Sequence, residues 1–119
     1  MAITNAKITT SSAAIYTSPS NTSNAITTVI ICNRKVFDPL NPTDNTAKLS
    51  LYAVPSGGSA TSPAIETIIV NELVIPAGET VTFDQEKMVL ADGDMLVAKA
   101  DVGSTGDPTL VATVSTLVV

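Results

Sequence analysis

IETIIVNELVIPAGETVTFDQEKMVLADGDMLVAKA, running from Ile65 to Ala100, decides the fold class. It holds most of the long apolar residues of the chain and reads as strands separated by two turn signals. Pro76-Ala77-Gly78 suits a β-turn, because proline presets φ for a turn and glycine tolerates the positive φ that follows. Asp92-Gly93 is the stronger signal, since a two-residue type I′ hairpin needs positive φ at both central positions. A hairpin there sets Leu90 opposite Met95 and Met88 opposite Val97 on one sheet face. The stretch predicts a β core.

Strand patterns continue on both sides. Ala2 to Thr10 alternates weakly around Ile3 and Ile8, and Ala13 to Thr17 forms a second short run. Ser18 to Asn24 is a loop by composition. Ala25 to Asn33 is β-branched and apolar on both faces, which predicts a strand inside a sheet. Arg34 to Thr46 contains Pro39 and Pro42, and each proline removes a ladder donor, so this is an irregular loop. Loops of this length tend to carry function. Ala47 to Val54 alternates cleanly, with Leu49, Leu51 and Ala53 to one side and Lys48, Ser50 and Tyr52 to the other. Pro55 to Pro63 and Asp101 to Pro108 are turn-rich, and Leu110 to Val119 closes the sequence as a strand. The expectation is an all-β domain over residues 1–119, a small β-sandwich or jelly roll of about eight short, mainly antiparallel strands. The apolar ending Leu117-Val118-Val119 reads as a strand that invites pairing with another chain. Residues 1–12 and 109–119 are therefore expected to act as assembly arms.

Composition narrows the function. Of the 119 residues, 45% are hydrophobic but only 3% aromatic, so the core must be Val, Ile, Leu and Ala. Charged residues make up 14%, well below ordinary usage, while Ser and Thr supply about a quarter. The net charge of −5, with basic residues scattered, argues against nucleic acid and anionic membrane as partners. No apolar run is long enough for a membrane-spanning helix, and the threonine-rich start lacks the features of a secretion signal.

Catalytic chemistry finds little material. Without histidine there is no Ser-His-Asp or Cys-His arrangement and no His-based zinc site, and one cysteine cannot form a Cys-rich one. Cys32 is read as a small buried hydrophobe. Asp92 and Asp94 flank Gly93 but lack the remaining ligands of a calcium loop, so turn chemistry accounts for them. Asp84, Glu86, Asp101 and Asp107 read as solvated loop charges, and Phe37 and Phe83 as core plugs. The expectation is a protein with no catalytic residues, no cofactor and no metal.

Four segments carry a resemblance: Met1 to Thr10, Ala25 to Asn33 with its Cys32-Asn33 ending, Leu51 to Gly58, and Glu86 to Asp94. In that order they resemble the small β-sandwich virion proteins of tailed bacteriophages, those of cyanobacterial and marine phages included. The loop at Asp38-Pro39-Leu40-Asn41-Pro42 is longer than that pattern leads one to expect. The resemblance implies a non-enzymatic virion role, foremost a capsid decoration (cement) protein on the outer surface of the head, made in the host cytoplasm. Its implied partners are the major capsid protein and further copies of itself, with a trimer favoured. Tail, neck, baseplate or fibre structures are the alternative, and a host-surface adhesin or carbohydrate-binding module follows. Three contact regions are expected: Ile3 and Ile8 on the first strand, Asp38, Pro39, Leu40, Asn41 and Pro42 in the long loop, and Leu117, Val118 and Val119 at the end.

Overall fold

The computed structural model describes residues 2–84 and 87–119. Met1, the first residue of the expected 1–12 arm, and Glu86, one of the expected loop charges, lie outside the described residues. The strands are β1 (Ala2–Ile8), β2 (Ala13–Thr17), β3 (Asn24–Asn33), β4 (Ala47–Val54), β5 (Ile68–Ile75), β6 (Thr80–Phe83), β7 (Met88–Leu90), β8 (Met95–Ala100) and β9 (Leu110–Val118). One single-turn 3₁₀ helix, Ile65–Thr67, precedes β5.

The strands form two antiparallel sheets packed face to face. The first has the order β1-β9-β3-β6, with β7 also on β3, and the second has the order β2-β8-β4-β5. β6 pairs with Val29 to Cys32 and β7 with Asn24 to Ile26, so they are two halves of one edge strand. Counted so, there are eight strands among the described residues, and their pairings nest: β4 with β5, β3 with β6, β2 with β8, β1 with β9. This nested pairing, divided between two sheets, is the jelly roll. The molecule is elongated, 51 × 28 × 25 Å.

Alternation fills the space between the sheets. Ile8, Ile26, Val29, Ile31, Leu110, Ala112 and Val114 point inward from the first sheet, and Ile15, Leu49, Leu51, Ile75, Leu96 and Ala98 from the second. With so few aromatics, the sheets interlock through branched aliphatic side chains. A buried polar residue sits at each end of this core. Asn24 donates to Ser18 Oγ (3.2 Å), and Ser18 Oγ donates to the Leu90 carbonyl (3.1 Å). At the opposite end, Asn33 donates to the carbonyls of Asn45 (2.8 Å) and Ile75 (2.9 Å).

Four expectations are corrected. Asp92-Gly93 does not close a hairpin: Met88 and Leu90 pair with Ile26 and Asn24, while Met95 and Val97 pair with Val54 and Tyr52 in the other sheet. Only Gly93 has positive φ in this turn, so type I′ is not adopted. Asp94 locks the turn instead, its carboxylate accepting from the Ala91 and Ser56 N–H groups at 2.9 Å each. The reason is burial: Leu96, Val97 and Ala98 are all buried, so β8 needs a neighbour on both sides and takes β2 and β4. Secondly, β9 lies between β1 and β3, so residues 109–119 are no free arm, and residues 2–8 are the strand paired to it. Thirdly, Phe37 is no core plug but half exposed in the long loop, whereas Phe83 packs against the core. Fourthly, Cys32 is only half-buried, because it shares the outward face of β3 with Ile30.

Candidate assembly interface

The expected contact residues fall at two opposite ends of the sandwich. Ala2 pairs with Thr116 and Val118 with Asn24, so Ile3, Leu117, Val118 and Val119 gather at the end where β3 begins. Ile8 pairs with Leu110, and Leu110 with Asn33, which places the long loop after β3 at the other end. Nine residue steps along β3 separate the two, roughly 30 Å at the usual strand rise.

Ile8 is removed from the contact set. It is 1% exposed, against 69% for Ile3. Five positions apart on a strand of period two, the pair must face opposite sides, and Ile8 takes the core.

At the end where β3 begins, Leu117, Val118 and Val119 are exposed, and the Val119 N–H donates to the Ser23 carbonyl (2.9 Å), which holds the last residue down. Val89 joins them, exposed on β7 and opposite Ala25, which also faces Leu117. Sequence reasoning missed Val89. A three-residue strand shows too little alternation to say which side faces out, and only its register on β3 decides.

At the other end, residues 34–46 form an ordered projection. The Asp38 carboxylate accepts from the Leu40 N–H (2.9 Å) and the Asn41 side-chain amide (3.2 Å), an Asx-type turn. Those bonds, the Asn41 side chain first, hold the Asp38 carboxyl below the usual carboxylate range. Asn33 Oδ1 accepts from the Lys35 N–H (3.0 Å), so one buried amide ties the loop to the β5–β6 turn. Asp107 adds an ionic clasp, accepting from Lys35 Nζ (2.6 Å) and Arg34 Nη1 (3.0 Å). Lys35 first, then Arg34, lowers its pKa. Leu40 stands at the tip, 88% exposed, with Val36 and Phe37 exposed at the base. Val36 and Phe37 were legible in principle: large apolar residues beside two prolines cannot be paired into a sheet.

The second sheet's outer face carries a polar cleft of about 370 Å³ lined by Lys48, Ser50, Tyr52, Asn71, Glu72 and Lys99. A bulge shapes it: two residues of β5, Asn71 and Glu72, oppose Ser50 alone, and Glu72 has positive φ.

The chain matches no protein-family model, no curated protein and no solved structure. The geometry therefore carries the functional argument. Among the described residues no group of three or more His, Cys, Asp and Glu side chains converges as a metal site. The carboxylates of Asp38, Asp94 and Asp107 are engaged as above, and Asp101 accepts from the Lys48 N–H (2.8 Å). These carboxylates brace loops. No helix among the described residues is long and apolar enough to cross a membrane.

Proposed function

We propose that this protein is a non-enzymatic structural component of a tailed-phage virion, a decoration protein that bridges major capsid subunits on the outside of the head. The observation that supports this most is a cluster of exposed apolar side chains at each end of the sandwich, apart from those along the β5 edge (Ile65, Ile69 and Val74). Leu40, Phe37 and Val36 stand at one end, and Val89, Leu117, Val118 and Val119 at the other. A rigid sandwich with an anchor at each end suits a part that spans two neighbours. Leu40 is held by hydrogen bonds within its loop, so little ordering entropy is lost on docking. Many weak, symmetry-related contacts then stabilise a shell without high affinity at any one. Jelly rolls recur in viral capsids but also in lectins and cupins, so the fold alone does not assign the role.

The test is stoichiometry in purified particles, measured against the major capsid protein. A ratio of one to one, or one to a few, is expected. A handful of copies moves the protein to the tail, neck, baseplate or fibre, and absence from the particle overturns the reading. Leu40→Ser is expected to lower occupancy while leaving thermal stability unchanged, since the side chain is exposed.

A second reading has its own observation. The polar cleft beside Tyr52 presents amide, carboxylate, hydroxyl and ammonium groups in one concavity, which suits a sugar. A glycan array tests it, and binding lost on Asn71→Ala would favour a host-surface carbohydrate-binding module.

A further inference from the structure

A sheet edge is a row of unpaired backbone groups, and proteins usually interrupt it. Three of the four edges here are interrupted. β2 has a register shift between Ala14 and Tyr16, β5 bulges at Asn71-Glu72, and on the remaining edge Asp84 after β6 and Lys87 before β7 are outside the strands. β1 is different. Its seven residues, Ala2 to Ile8, pair with β9 in unbroken register, with neither proline nor bulge. The one charge on it, Lys7, reaches away to donate to the Thr105 carbonyl (3.1 Å).

Electrostatics narrows the occupant. The chain carries −5, so two copies repel over most of their surface. The strands are nearly free of acid: only β5 holds an acidic residue, Glu72. Outward from the first sheet point Ile3, Asn5 and Lys7 of β1, Val111, Thr113 and Ser115 of β9, and Thr28, Ile30 and Cys32 of β3. This face, bounded by β1, is where a second copy can approach without like-charge cost.

We propose that β1 pairs antiparallel with β1 of a second copy about a two-fold axis, joining the two first sheets into one continuous sheet. The pairing is self-complementary in the register that uses all seven residues. Asn5 faces its own symmetry mate, Ile3 faces Lys7, Thr4 faces Ala6, and Ala2 faces Ile8. Thr113 Oγ1 donates to Asn5 Oδ1 (3.0 Å), which leaves the Asn5 amide nitrogen to donate across the axis. The exposed Ile3 then lies beside the base of the Lys7 side chain, whose tip stays on the Thr105 carbonyl. The contact is a two-fold, isologous one rather than the trimer that the phage resemblance implies. A strand pair buries less than a standard interface, so the dimer is weak. It does not rest on the virion reading.

The test uses the full chain with Cys32→Ser, so that one introduced thiol reports alone. Asn5→Cys places two thiols in directly opposed positions, a separation that suits a disulfide. Under mild oxidation it is expected to dimerise at least about tenfold faster than Lys99→Cys, on the outer face of the other sheet. Equal rates overturn the proposal. Asn5→Lys sets like charges opposite each other and is expected to weaken the dimer about tenfold by sedimentation equilibrium, with melting unchanged. A dimer that persists undiminished in Asn5→Lys overturns it as well. Neither result depends on particle stoichiometry.

Discussion

Replacing Asn33 with leucine of similar volume removes polar bonds without opening a large cavity. Asn33 is buried and its side chain makes three hydrogen bonds: donated to Asn45 O and Ile75 O, and accepted from Lys35 N–H. Each contributes about 1 kcal/mol net, and the abandoned partners also lose their solvation where the site excludes water. The expected loss for Asn33→Leu is therefore about 3 kcal/mol. For a domain of this size each kcal/mol moves Tm by roughly 3–5 °C, which gives a fall of about 10–15 °C. The assay is thermal unfolding followed by circular dichroism, with limited proteolysis below the transition. Cleavage within residues 34–46 is expected to rise before the rest of the domain opens, because the amide joins that loop to the β5–β6 turn. A Tm within about 2 °C of the parent would refute the reasoning, as it would mean that water or loop rearrangement satisfies all three groups.

Three further outcomes follow from the same geometry. Gly93→Ala is expected to cost about 1–3 kcal/mol by denaturant titration, because Gly93 has φ of 80° and an added Cβ would lie 2.6 Å from Ser56 Oγ; a neutral result would mean that the turn tolerates a shift of Ser56. Carboxyl titration by NMR is expected to place Asp107 below the ordinary aspartate range, Lys35 and then Arg34 being the cause. Its folded pKa is below its unfolded value, so its contribution is present above the unfolded value and lost as pH falls through the folded one; it also shrinks with salt, since the groups are exposed. Leu49→Ala, at a fully buried site, is expected to cost about 3 kcal/mol, far more than Leu40→Ser.

Most of the strands were legible locally. Alternation at Ala47–Val54 and the β-branched run at Ala25–Asn33 placed β4 and β3, because side-chain direction along a strand has period two and local residues report it. The prolines at 39 and 42 marked the long loop, since proline cannot donate to a ladder. Leu40 stands exposed at its tip. Pairing and exposure were another matter. Asp92-Gly93 read as a hairpin, yet the turn carries the chain from one sheet to the other. That choice depends on β8 being buried on both faces, which no local window records. Ile3 and Ile8 read alike as anchors, but strand period sends one to solvent and the other to the core. Leu117-Val118-Val119 read as a terminal strand that invites pairing, while the nested pairing put β9 between β1 and β3 over Leu110 to Thr116. Tertiary structure settles which edge stays open: β9 pairs with one side of β1, and no strand among the described residues pairs with the other. Strand propensity is a property of neighbours in sequence, whereas sheet order follows from which arrangement buries every apolar face at once.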